Sequence, residues 1–118
     1  MADPPFGDGP YHLTTHALAC NVEFNGPGTF LLGEQTEDGF LVACVGRSDT
    51  DINARLQSMV GKYRHFLFAY APSAHAAFVQ ECALFHDFQP GHNPQHPQPR
   101  VGTAWACPRC EATRLQAA

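Results

Sequence analysis

Two short apolar runs, separated by a polar turn, dominate the first half of the chain. The runs cover residues 29–32 and 40–45, and mainly acidic and polar residues fill positions 35–39 between them. Near-continuous apolar runs of this length, bounded by turn residues, are typical of buried strands. The pattern therefore predicts a β-hairpin, which begins after the Asn-Gly-Pro-Gly turn at residues 25–28.

Three further segments flank this hairpin. Residues 51–60 repeat apolar side chains at helical spacing, and Gly61 suits the position that follows a helix. Residues 65–70 read His-Phe-Leu-Phe-Ala-Tyr, and the alternating aromatic side chains would share one face of a third strand. Residues 11–24 fit either an irregular lead-in with a strand or a short helix, and the pattern leaves both open.

The longest predicted helix covers residues 73–86, with Ser73 as its N-cap. Cys82 and His86 lie four residues apart, so they project from one side of this helix and can bind one metal ion. Glu81 lies about 100° around the helix from Cys82 and can serve a different site. Beyond this helix, residues 89–100 hold four of the ten prolines, which excludes regular structure there.

The order of these elements predicts an α/β (α+β) fold. We expect one small domain over residues 11–118, preceded by a flexible tail over residues 1–10 that is rich in Pro, Gly and Asp. Its core would be a short, mainly antiparallel, three-stranded sheet packed with helices. A zinc-binding C-terminal segment, residues 82–110, would staple the irregular end of the chain to this core.

Composition limits the class of protein and its expected cellular location. With 44% hydrophobic residues the chain has the composition of a packed protein, and no apolar run is long enough to span a membrane. The first residues lack a basic stretch followed by an apolar one, so we expect a cytoplasmic, reducing location and no membrane partner. Residues 1–54 hold eight acidic residues and one basic residue, whereas residues 55–118 hold three acidic and six basic residues. One end of the molecule can therefore be locally positive.

Four cysteine and histidine residues have the spacing of a zinc site. Cys82 and His86 on the helix would be joined by Cys107 and Cys110, which flank a turn that contains Pro108. Three thiolates and one imidazole suit tetrahedral zinc, and four protein ligands leave no position for a reactive water. The predicted role of the metal is therefore structural, because the free energy of metal binding adds to that of folding.

Other interpretations of these residues stay open. His92 and His96 compete with His86 as the fourth ligand, and Cys82 is also suited to be a small core residue beside a redox-active Cys107–Cys110 pair. Cys20 and Cys44 lie among apolar neighbours and are expected to be buried thiols rather than ligands.

A second pattern runs between residues 28 and 93. Gly-Thr-Phe at residues 28–30 lies on the first hairpin strand, and Cys-Val-Gly at residues 44–46 lies on the second. Arg55 follows nine residues after the second motif, Glu81 follows an Ala-rich turn on the long helix, and Asn93 comes after it. In this order the residues resemble the GIY-YIG nuclease superfamily, whose hairpin carries Gly-Ile-Tyr and Tyr-Ile-Gly ahead of an Arg, a Glu and an Asn.

The resemblance implies an endonuclease that hydrolyses phosphodiester bonds in nucleic acid. DNA is favoured over RNA as the partner, but the sequence leaves both open. The resemblance implies catalytic roles for Arg55, Glu81, Phe30 and Cys44, with Glu81 binding Mg²⁺ or Mn²⁺ and Arg55 contacting the scissile phosphate. Substrate-binding roles are expected for Arg47 in the second half of the hairpin. The same roles are expected for Asn93 and His96 in the segment after the long helix.

Phe30 and Cys44 stand where the family has its two tyrosines. Phenylalanine preserves the shape of tyrosine but has no hydroxyl to position or deprotonate a water. Two other functions are therefore also consistent with the sequence. One is an inactive relative that only binds nucleic acid through the basic residues Arg47, Arg55, Lys62 and Arg64. The other is a zinc-stabilised module that binds another protein.

Overall fold

The computed structural model describes residues 9–93 and 95–110. Four strands and three helices follow one another along these residues: β1 (Tyr11–His12), α1 (Thr15–Asn21), β2 (Gly28–Thr36), β3 (Gly39–Ser48), α2 (Ile52–Gln57), β4 (His65–Tyr70) and α3 (Ala74–Phe88). Apart from Gly9 and Pro10, the predicted N-terminal tail lies outside the described residues.

The strands form one antiparallel sheet in the order β1-β4-β2-β3. The predicted hairpin is β2 and β3, and the predicted third strand is β4. The prediction of three strands was wrong in number, because Tyr11 and His12 pair with Phe66 and His65 and add a short fourth strand. Two residues carry too little periodicity to be recognised as a strand from sequence.

Apolar clusters cover both faces of the sheet. On one face Phe30, Leu32 and Phe66 pack against residues from α1 and α2. On the other face Leu31 and Val45 pack against Leu84 of α3. Alternate residues of β2 therefore face opposite clusters, as the pleat of a strand requires.

Helices α1 and α2 are held together by a buried amide. Asn53 is fully buried, and its side-chain nitrogen donates to the carbonyl oxygens of Leu18 and Val22 at the end of α1. Helix α2 begins after Asp51, whose carboxylate accepts from the backbone N–H of Ala54. It ends at Gln57, three residues before the predicted end. Residues 11–24 contain both structures left open by the sequence, a strand and then a helix.

Helix α3 begins where the sequence predicts it. The Ser73 hydroxyl accepts from the backbone N–H of Ala76, and the helix continues to Phe88, where Gln89 takes a left-handed conformation with φ 46°. This cap satisfies a terminal carbonyl because the N–H of Gln89 bonds to Phe85. Among the described residues, no helix is both long and apolar enough to cross a membrane.

Candidate metal centre and adjoining cleft

Four side chains bring their ligand atoms together at the C-terminal end of α3. They belong to His86 on α3, His96 in the segment that follows, and Cys107 and Cys110 in the C-terminal turn. All four ligand atoms lie within 4.8 Å of one another. The structure therefore forms a two-histidine, two-cysteine cluster that can bind a metal such as zinc.

The separations of these atoms match a tetrahedral zinc centre. His86 Nε2 lies 3.2 Å from His96 Nε2 and 3.4 Å from the sulfur atoms of Cys107 and Cys110. The Cys110 sulfur lies 3.5 Å from His96 Nε2. Zinc–nitrogen bonds of about 2.05 Å and zinc–sulfur bonds of about 2.3 Å at tetrahedral angles imply nitrogen–nitrogen and nitrogen–sulfur separations of about 3.3 and 3.6 Å.

Hydrogen bonding alone does not account for this cluster. A histidine ring nitrogen carries either one hydrogen or one lone pair, so it can make one good hydrogen bond. His86 Nε2 has three neighbours at hydrogen-bonding distance, namely His96, Cys107 and Cys110. A single cation at the centre would satisfy all four ligand atoms.

The surroundings of the cluster orient its ligands. His96 Nδ1 lies 2.8 Å from the carbonyl oxygen of Pro97, which fixes a hydrogen on Nδ1 and leaves the Nε2 lone pair for a metal. Burial raises the pKa of the Cys107 thiol, but hydrogen bonds to its sulfur, led by the one from the Cys110 backbone, outweigh burial and lower that pKa to about 6. A thiolate, the form that binds metal, is therefore available at neutral pH.

Cys82, predicted as a zinc ligand, lies outside the group of four. It is fully buried, and it packs with Phe78 and Cys107. Burial, and then its hydrogen bond to Cys107, raise the pKa of Cys82 to about 12. Cys82 is therefore a neutral thiol beside the cluster. The fourth member of the group is His96, which the sequence indicated both as a rival ligand and as a substrate-binding residue.

A cleft of about 310 Å³ adjoins the metal cluster at the edge of strand β3. Of the residues expected to have catalytic or substrate-binding roles, all but His96 line this cleft: Phe30, Cys44, Arg47, Arg55, Glu81 and Asn93. They come from β2, β3, α2, α3 and the segment after α3, so only the tertiary fold brings them together.

Phe30 forms part of the cleft wall and pairs across the hairpin with Gly46. A Cβ atom at position 46 would overlap the Phe30 ring, so only glycine allows the ring to lie there. Cys44 is half-buried, and burial raises the pKa of its thiol. Neither residue presents a hydroxyl to the cleft. Cys20, expected to be buried, is exposed because α1 turns Leu18 inward instead.

Arg47 connects the two acidic side chains of the cleft. Its Nε donates to Asp49 at 2.8 Å, and its Nη1 donates to Glu81 at 2.7 Å. Its Nη2 donates to the carbonyl oxygen of Gln98 at 2.8 Å, and the guanidinium lies over the Phe78 ring. Each guanidinium nitrogen therefore already has a partner within the protein.

Glu81 is buried, with 8% of its surface exposed. Burial raises the pKa of this carboxyl more than Arg47 lowers it. Arg47 bonds to Oε1 of Glu81, and within residues 9–93 and 95–110 no hydrogen bond to the second carboxylate oxygen is found. Arg55 lines the cleft from α2 and is exposed, which makes it accessible to an anionic ligand.

Asn93 fixes the segment after α3 to the edge of the sheet. Its side-chain oxygen accepts from the N–H of Val45, and its side-chain nitrogen donates to the Val45 carbonyl oxygen. The N–H of His92 donates to Ala43 next to it, while the His92 ring bonds to the Tyr63 hydroxyl at 3.0 Å. His92 is thus directed away from the metal cluster.

Sequence reasoning missed Asp49 and Gln98, which hold Arg47 in the cleft. Asp49 lies just after the end of β3, where its spacing from Arg47 does not by itself indicate an ion pair. Gln98 acts through its backbone carbonyl, which no side-chain pattern reveals. In comparisons with known proteins, no family model, no curated protein and no solved structure matches the chain.

Proposed function

We propose that the cleft binds phosphodiesters of nucleic acid and hydrolyses them with the help of Mg²⁺ or Mn²⁺, within a GIY-YIG-like domain stabilised by a structural zinc centre. The observation that carries this proposal is the convergence of five candidate residues, far apart in sequence, on one cleft: Phe30, Cys44, Arg55, Glu81 and Asn93.

In this proposal Glu81 would hold the divalent ion through a carboxylate oxygen, a hard ligand of the kind that Mg²⁺ and Mn²⁺ prefer. The exposed Arg55 donates to the scissile phosphate and stabilises the charge that develops on its oxygens. A divalent ion held there would supply charge neutralisation at the phosphate and an activated water as nucleophile. Such activation would take the place of the hydroxyls that Phe30 and Cys44 lack.

Cleavage is best tested on supercoiled plasmid and on single-stranded DNA and RNA, with Mg²⁺ or Mn²⁺ added to zinc-loaded protein. We expect Glu81→Gln to reduce the rate by about a hundredfold or more, because a lost metal ligand removes several kcal/mol of stabilisation. Arg55→Gln should reduce it by at least about tenfold. Glu37→Gln, in the exposed hairpin turn, is the matched control and should retain full activity.

A second function, binding without hydrolysis, is favoured by the Arg47–Glu81 ion pair, which occupies one oxygen of the candidate metal ligand. The exposed basic side chains of Arg55, Lys62 and Arg64 would then contact phosphates. Binding of this kind weakens with salt, by about 0.9 in the logarithm of affinity per tenfold salt for each duplex phosphate contacted.

Fluorescence anisotropy against salt concentration separates these functions. Salt-dependent affinity without cleavage, unchanged in Glu81→Gln and reduced in Arg55→Gln, would identify a binding module. The absence of affinity for DNA and RNA at low salt would contradict both nucleic-acid functions and leave a module that binds another protein.

A further inference from the structure

The metal cluster has a fifth donor within reach. Cys82 lies one helical turn before His86 on α3, and its side chain packs against Cys107, one of the four clustered residues. It is fully buried among apolar neighbours, so water does not compete for its sulfur. The Cys82 sulfur is nevertheless not among the four atoms that lie within 4.8 Å of one another.

His96 differs from the other three ligands in what holds it. His86 belongs to a helix of fifteen residues, and Cys107 and Cys110 share one turn. His96 lies in the irregular Pro-rich segment, where its ring rests against Phe85 and bonds to Pro97. Of the four ligands, it is therefore the one that can leave without unwinding a helix or opening the cysteine turn.

We infer that the metal centre has two alternative ligand sets, in which His86, Cys107 and Cys110 are constant and the fourth ligand is either His96 or Cys82. In the exchange the bond from the metal to His96 Nε2 breaks and a bond from the metal to the Cys82 sulfur forms. The proton of the Cys82 thiol passes to the released imidazole. No other reactant is required, and the metal stays four-coordinate in both sets.

The exchange links the metal centre to the cleft, because His96 is followed by two residues of the cleft wall, Pro97 and Gln98. The Gln98 side chain donates to the carbonyl oxygen of His96, and its own carbonyl accepts from Arg47. Release of His96 would free this wall and remove one partner of Arg47. The ligand exchange itself concerns only the metal centre and holds whether or not the cleft cleaves nucleic acid.

Cobalt(II) is the probe that distinguishes the two ligand sets, since sulfur-to-cobalt charge transfer grows with each thiolate bound. We expect the parent protein to bind one Co²⁺ through two thiolates. His96→Ala should still bind one Co²⁺, with a charge-transfer band about one and a half times as intense because three thiolates replace two. Its dissociation constant should rise by no more than about tenfold.

Double variants identify the replacement ligand. His96→Ala/Cys82→Ser should return to the two-thiolate intensity and bind Co²⁺ at least about a hundredfold more weakly than His96→Ala, because a closed four-ligand site is lost. His96→Ala/Cys44→Ser is the matched control, since Cys44 lies in the cleft wall rather than beside the cluster. It should behave like His96→Ala.

Three results would overturn the inference. The first is a His96→Ala variant whose charge-transfer band stays at the two-thiolate intensity. This result comes from the single variant alone, so it does not depend on the folding of a double variant. The second is a parent band of three thiolates that falls in Cys82→Ser, because Cys82 would then be the resident ligand. The third is a parent protein that binds no Co²⁺ and no Zn²⁺, which would also remove the zinc centre from the proposed function while leaving the cleft to its own assay.

Discussion

At the scale of single residues, Arg47 has the widest influence on the cleft. It joins Asp49, Glu81 and the segment that contains Gln98, and only 12% of its side chain is exposed. Asp49 and Glu81 would repel each other without the guanidinium between them. Arg47, to which the resemblance assigned substrate binding, therefore stabilises the cleft through its contacts within the protein.

Removal of this guanidinium should therefore destabilise the protein. Arg47→Met leaves Glu81 buried without its partner, and we expect the free energy of unfolding to fall by about 2–4 kcal/mol in urea titrations. The loss should be smaller at acidic pH, where the Glu81 carboxyl, whose pKa burial already raises, is protonated and needs no partner.

The double variant Arg47→Met/Glu81→Gln is the control for this mechanism, because it removes the unpaired charge together with its partner. It should recover part of the lost stability. Equal stability losses in the single and double variants would contradict the role of the ion pair. Arg64→Met, whose ion pair with Glu34 is largely exposed, should change stability by less than about 1 kcal/mol.

At the scale of secondary-structure elements, strand β1 is attached through a pair of histidines. His12 and His65 face each other across β1 and β4, with ring centroids 4.7 Å apart. His65 Nδ1 also accepts a hydrogen bond from the N–H of Gln35 on β2. Burial, followed by the neighbouring His12 and Arg64, lowers the pKa of His65. The neutral ring that this favours is the form that can accept the bond from Gln35.

Acid should therefore loosen this part of the sheet. Since the pKa of His65 is lower in the folded than in the unfolded protein, its contribution to stability is present above the unfolded pKa of about 6.5 and is lost as the pH falls below it. Between about pH 7.5 and pH 5, the parent should lose more stability than His65→Gln, whose side chain stays neutral. His16→Gln, on α1, should follow the parent.

Urea titrations at both pH values measure this difference in stability loss between the parent and His65→Gln. Hydrogen exchange of the Leu13 amide, which bonds to Arg64 beside the β1–β4 pair, shows whether the loosening occurs at strand β1. Metal release in acid affects the parent and the variants alike, so the comparison isolates His65. A parent and a His65→Gln variant with the same pH dependence would contradict the proposed role of the ring.

At the scale of the whole molecule, the metal cluster lies where the C-terminal turn meets helix α3. One apolar cluster attaches the last described residues to helix α3. In it, Trp105, Cys107 and Cys110 pack against Phe78 and Cys82. His75 also stacks on Trp105. We propose that a bound metal adds to this small apolar cluster in holding the Pro-rich, irregular segment in place.

Chelation should thus weaken the fold and release the C-terminal segment. At a free zinc concentration a thousand times the dissociation constant, bound zinc adds about 4 kcal/mol of stability, which a chelator removes. Limited proteolysis with trypsin should then cut first at Arg100 and Arg109, which are exposed. Added Zn²⁺ should restore protection, whereas Mg²⁺ should not, because thiolate and imidazole ligands select zinc.

His86→Ala is the matched variant for this prediction. It should resemble the chelated parent, and a chelator should have little further effect on it. A parent protein with the same unfolding midpoint and the same cleavage pattern before and after chelation would contradict a structural metal.

The sequence alone determined the hairpin, strand β4 and helix α3, because in each of them local periodicity, turn residues and caps agree with the tertiary packing. It also indicated that Cys107 and Cys110 could share a metal with a histidine, since a short local turn sets the spacing of the two cysteines. The resemblance selected the residues of the cleft. The end of α2 was predicted at residue 60, three residues beyond its observed end at Gln57.

Tertiary structure decided the rest. Strand β1 exists only through its pairing with β4, and a strand of two residues has no pattern of its own. His96 joins the cluster in the place of Cys82 because the Pro-rich segment folds back over α3, a path that depends on contacts distant in sequence. Arg47 is turned to Glu81 rather than to solvent for the same reason. Local propensity fixes elements, but which side chains meet between elements depends on how the elements pack.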